Sequence, residues 1–74
     1  MSYYKDQLSA FQDTDKVLEV MKKGGQNVKI KYVVFEITNA HPVSPRVIRN
    51  WIIDWAELRE IKIKDEELMF EEAD

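Results

Sequence analysis

Seventy-four residues leave room for one hydrophobic core, so the chain reads as a single domain over 1–74, folded from about 5 to 71 and ending in an acidic tail at 72–74. The composition, 45 % apolar and 34 % charged, is that of a folded protein, and without cysteine neither disulfides nor thiolate metal sites are available. The N-terminus has no apolar signal segment and the apolar run Tyr32 to Phe35 stops at Glu36, so the expectation is a cytoplasmic protein that does not enter a membrane.

The net charge of −3 conceals a segregation. Residues 22–49 carry Lys22, Lys23, Lys29, Lys31, Arg46 and Arg49 against Glu36 alone, a net +5, while residues 1–21 carry −2 and residues 50–74 carry −6. Such asymmetry along a chain points to a basic surface with an anionic partner more strongly than the total argues against one.

Residues 5–23 are expected to be helical, in one piece or two. Leu8 and Phe11, then Val17, Leu18 and Met21, mark apolar stretches, and Asp13 and Thr14 can cap a helix beginning near Asp15. Lys22 and Lys23 suit its C-terminal end, and Gly24 can adopt the left-handed conformation that stops it. Residues 28–40 carry two periodicities. Val28, Ile30, Tyr32 and Val34 alternate as in a strand, whereas Ile30, Val33, Val34 and Ile37 occupy one face of a helix. A helix from about Ile30 to Ala40 is the preferred reading; its rival is a fold with a central strand over 28–38.

Residues 44–58 give the clearest helix. Ser44 is placed as N-cap with Pro45 at the first helical position, and Ile48, Trp51, Ile52, Trp55 and Leu58 form an apolar stripe. Pro42 disfavours the α conformation at His41, making His41 to Ser44 a tight turn between two helices. From residue 61 the period changes to two: Ile61 and Ile63, then Leu68 and Phe70, predict a short hairpin with one buried face. Asp65-Glu66 lacks the glycine that two-residue hairpin turns favour, so a longer loop is expected.

Helix, helix, tight turn, helix and hairpin is the order of a winged helix-turn-helix, an α+β fold. The segment Ile37-Thr38-Asn39-Ala40-His41-Pro42-Val43-Ser44-Pro45-Arg46-Val47-Ile48-Arg49-Asn50-Trp51 resembles the turn and recognition helix of that superfamily, and the likeness extends over roughly residues 15–71. Within it, the Ser-Pro-Arg start and the basic strand that follows are similar to phage excisionases and MerR-type domains. Two departures stand out: Pro42 where glycine is usual, and an acidic wing tip, which argues against DNA contact by the wing. The resemblance implies three helices followed by a C-terminal β-hairpin, and a small DNA-binding regulator of transcription or accessory factor, of viral or phage type, that reads the major groove with helix 45–58.

With the apolar stripe inward, the helix turns Arg46, Arg49, Asn50 and Ile53 outward. Arginine can donate two hydrogen bonds to guanine and asparagine can pair with adenine, while an aliphatic side chain can meet a thymine methyl. Ser44 opens the helix, Lys29 and Lys31 begin the preceding one where such proteins cross the phosphate backbone, and Lys62 and Lys64 would flank the site from the wing. Double-stranded DNA is the expected partner and a homodimer the expected state, since one module offers a modest interface. The alternative is a winged helix that binds protein, including a small acidic phage-type inhibitor.

Catalysis is not expected. The single histidine, His41, has no companions at metal-ligand spacing, and Gly24-Gly25 is not followed by the residues of a phosphate-binding loop. The carboxylates Glu66, Glu67, Glu71, Glu72 and Asp74 form a charge run suited to solvation. No cofactor is implied. Tyr3 and Tyr4 are candidates for covering the core or for a dimer contact.

Overall fold

The computed structural model describes residues 3–72, with side chains from Asp6 onward. Tyr3 and Tyr4 therefore contribute backbone only, and Ala73 and Asp74 of the acidic tail lie outside the described residues. Helix α1 spans Tyr3–Gly24, strand β1 Val28–Lys29, helix α2 Ile30–Ala40 and helix α3 Pro45–Leu58. Strands β2 (Ile63–Lys64) and β3 (Glu67–Leu68) follow, then a single 3₁₀ turn at Phe70–Glu72. The sheet is antiparallel in the order β1-β3-β2. Three helices on a small three-stranded sheet form a winged-helix layout.

Helix α1 is one uninterrupted element of 22 residues, about 33 Å long. No second helix starts near Asp15, because Thr14 does not cap. Its side chain is buried and its hydroxyl donates to the carbonyl of Ala10 at 2.7 Å, one turn back inside the same helix. The stop also lies one residue later than expected. Gly25, at φ 71°, takes the left-handed conformation, and its N–H closes the helix on the carbonyls of Met21 and Lys22.

Both periodicities of residues 28–40 are used, in succession. Val28 pairs with Leu68 and Lys29 with Glu67, and from Ile30 the backbone is helical. Ile30, Val33 and Ile37 are buried on one face, while Tyr32, which a strand would have turned inward with Ile30, is exposed. A strand over 28–38 is excluded. The N–H of Ile30 donates to the carbonyl of Glu66 at 2.9 Å, so the first turn of α2 is tied to the wing instead of to a side-chain cap.

Pro45 stands at the start of α3 and Ser44 at its N-cap with extended backbone, but the serine hydroxyl makes no capping bond; its carbonyl accepts from Val47 and Ile48. Ile48, Ile52, Trp55 and Ala56 are buried. Trp51 is half-buried, stacked on Phe11 with ring centroids 4.1 Å apart and donating from Nε1 to Asp15 Oδ1 at 2.8 Å. Leu58 does not close the stripe: it is 82 % exposed. The chain leaves the core just beyond Ala56. Glu60 takes φ 57° and the N–H groups of Glu60 and Ile61 donate back to Glu57 and Ala56, a paired closure that buries Ile61 and leaves Leu58 outside.

The hairpin turn is shorter than expected. Lys64 pairs with Glu67, so only Asp65 and Glu66 lie between, at φ 53° and 61°, the geometry of a two-residue type I′ turn. Asp65 tolerates this conformation; Glu66, where glycine is favoured, holds it because it is fastened from both sides, by its carbonyl to Ile30 and by its carboxylate to Arg49. The inward row of the sheet is Val28, Leu68 and Ile63; the outward row is Lys29, Glu67 and Lys64. Phe70 then packs edge-on against Trp55, with centroids 6.2 Å apart, and completes the core.

Candidate nucleic-acid interface

The first turns of α2 and α3 and the wing turn enclose an open groove of about 350 Å³. Its floor is apolar, made by Ile30, Val34, Phe35 and Pro45, and its rim carries Lys31, Arg46, Arg49 and Glu66. The fold therefore gathers three of the cations selected from sequence, contributed by two helices. They converge because α2 begins directly at the sheet, which sets Lys31 beside the wing turn, and the Arg49–Glu66 pair joins α3 to that same turn.

The nine sequence candidates do not form one surface. Arg46 and Asn50 are exposed on α3, and Ser44 is exposed at its N-cap. Ile53 is half-buried and packs against the core, so little of it is left to meet a base. Lys29 and Lys64 flank Glu67 on the outward row of the sheet. Lys62 lies elsewhere, in a small recess with Glu60, Met69 and Glu72, among carboxylates. The Lys31 ammonium lies 5.7 Å from the centroid of the Tyr32 ring, within reach of a weak cation–π contact.

Arg49 is already occupied. Its Nη2 donates to both oxygens of Glu66, at 2.5 and 2.7 Å. An arginine can fork onto a base edge end-on, through its two Nη groups, or side-on, through Nε and Nη2; both arrangements include Nη2. The wing carboxylate thus competes with any anion or base edge that approaches Arg49 in bidentate fashion. No known protein family, curated protein or solved structure matches the chain. The site must be judged on its own chemistry: a shallow apolar groove, a rim of guanidinium and ammonium groups, and one internal carboxylate in the position of a ligand.

Three contacts were not foreseen from the sequence. The wing tip was recognisable as acidic, but nothing local paired Glu66 with a residue seventeen positions earlier. Phe35, 66 % exposed, lies on the groove, off the helical face Ile30, Val33, Val34 and Ile37 selected from the sequence. His41 is partly enclosed, with Nε2 2.8 Å from Asp13 Oδ2, and this pair ties the inter-helix turn to α1. Among the described residues no group of histidines and carboxylates is arranged to hold a metal ion. No helix among the described residues is long and apolar enough to cross a membrane.

Proposed function

We propose that the domain binds double-stranded DNA without catalysing a reaction, placing the first half of α3 in the major groove. The observation that carries this reading is the convergence of Lys31 with Arg46 and Arg49 on one face, next to the exposed Asn50, within a winged-helix layout. In that placement Arg46, Arg49 and Asn50 are the base readers. Lys29, Lys31 and Lys64 lie to the side, where phosphates pass, and the unbonded Ser44 hydroxyl is free to donate to a phosphate oxygen. Lys62 and Ile53 drop out of the set.

One module of this size covers roughly 600–1,000 Å² of DNA, so two copies on adjacent half-sites are the expected binding unit. The test is enrichment of bound duplexes from a random pool, followed by affinity measurements over a range of salt. Three phosphate-contacting cations predict a slope of log K against log salt of about −2.7 per module. Absence of retardation at low salt refutes the reading.

A specific observation supports a second function. The apolar groove floor with the exposed Phe35, together with the internal neutralisation of Arg49, suits a protein ligand bearing a carboxylate beside an apolar side chain. A protein that co-purifies and is displaced by Phe35→Asp, with no DNA retarded, would establish that function in place of the first.

A further inference from the structure

The second half of α3 presents a different surface. Beyond Asn50 the helix exposes Asp54, Glu57 and Leu58, and a hollow of about 350 Å³ lies between this stretch and α1. Trp51 and Trp55 wall it, Asp15 and Asp54 stand at its rim, and Leu58 projects at its edge. An aliphatic side chain left in water beside an aromatic wall is surface that association would remove from solvent.

Further details define what the hollow suits. The guanidinium of Arg59 lies 4.4 Å from the centroid of the Trp55 ring, and its Nε lies 3.5 Å from Glu19 Oε2. This wall therefore already holds one cation between an indole and a carboxylate. The Nε1–H of Trp55 is buried with no acceptor among the described residues, an unmade hydrogen bond in the same wall. Asp15 and Asp54 line the hollow together with Arg59, Glu19 pairs with the Arg59 guanidinium, and Glu57 is exposed on α3 three residues beyond Asp54, next to Leu58. Asp15 already accepts from Trp51, whereas the exposed carboxylates of Asp54 and Glu57 have no side-chain partner among the described residues.

We infer that this hollow docks a basic peptide segment of a partner protein. An arginine or lysine enters beside the tryptophans under Asp54 and Glu57, and a neighbouring aliphatic side chain packs on Leu58. The same carboxylates repel nucleic acid, and the surface lies on the opposite half of α3 from Arg46. The inference therefore does not depend on DNA binding.

Both tryptophans of the chain stand in this wall, so their emission reports occupancy directly. The probe is a capped octapeptide of arginine, leucine and glycine, titrated at low salt against its glutamate-for-arginine counterpart. A saturable emission change with the arginine peptide alone is expected. The pair Asp54→Asn with Glu57→Gln should weaken it about tenfold and Leu58→Ser several-fold, as rim charges and one apolar contact allow. Glu71→Gln with Glu72→Gln, an equal change of net charge elsewhere, should leave it unaltered; all these positions are exposed, and circular dichroism confirms that each variant is folded. Equal weakening by both pairs, or no saturation, overturns the proposal. So does a protein that dimerises alone and becomes monomeric with Leu58→Ser, because the occupant is then a second copy. DNA retardation measured on Leu58→Ser should match the parent, which keeps this result separate from the fate of the DNA reading.

Discussion

Replacing Glu66 by glutamine removes the carboxylate from Arg49 while keeping the length and shape of the side chain. The pair is exposed, 42 % at Arg49 and 64 % at Glu66, so its loss should cost only about 0.2–1 kcal/mol of stability. DNA binding should move the other way. The parent must break the same pair before Arg49 can fork onto a base, and it must bring a carboxylate near phosphates. At about 7 Å in water each such repulsion is roughly 0.6 kcal/mol before screening by salt. Removing both costs should strengthen binding by about 0.5–1.5 kcal/mol, or about two- to tenfold in Kd. If the released arginine takes up one more phosphate, the salt slope should steepen by about 0.9. Fluorescence anisotropy with an enriched duplex, repeated over a salt series, measures both quantities. A Glu66→Gln protein that remains folded and binds no tighter than the parent would refute the idea that the wing carboxylate restrains the reader.

Arg49→Ala should lose about 1–3 kcal/mol of affinity and relax preference at one base pair, whereas Lys31→Ala should weaken all duplexes alike and flatten the salt slope by about one; selection from a random pool separates the two. Trp55→Ala removes a core ring that contacts both Phe70 and Arg59, and chemical denaturation should show a loss of about 3–5 kcal/mol, enough to unfold a domain this small. Glu60→Gly relieves a left-handed residue at the end of α3 and should raise stability by about 0.5–1 kcal/mol, seen as a higher Tm; a lower Tm would contradict the paired closure described there.

The helices were legible because their signals are local. Ser44-Pro45 and the stripe Ile48, Ile52 and Trp55 lie within one element, and the structure follows them closely. Three features escaped because tertiary contacts decide them. Thr14 has the side chain of a cap, but burial turns its hydroxyl onto Ala10, and no sequence window reveals that neighbour. Asp65-Glu66 looked unsuited to a tight turn, and the bonds that hold it come from Ile30 and Arg49, on two other elements. Leu58 continues the helical period, yet the core ends before it. At the candidate site, the outward direction of Arg46 and Asn50 followed from the same period, while the pairing of Arg49 and the separation of Lys62 needed the fold.

The brevity of the sheet has a consequence for life at high concentration. Both edges, β1 and β2, are two residues long, each with an outward lysine, and β1 turns into helix immediately after Lys29. An incoming strand finds at most a couple of open backbone groups and a positive charge beside them, too little to template further pairing. A small domain opens often, because few kilocalories hold it shut. One whose β-structure is this curtailed can do so with little risk of seeding a fibril from its native edges.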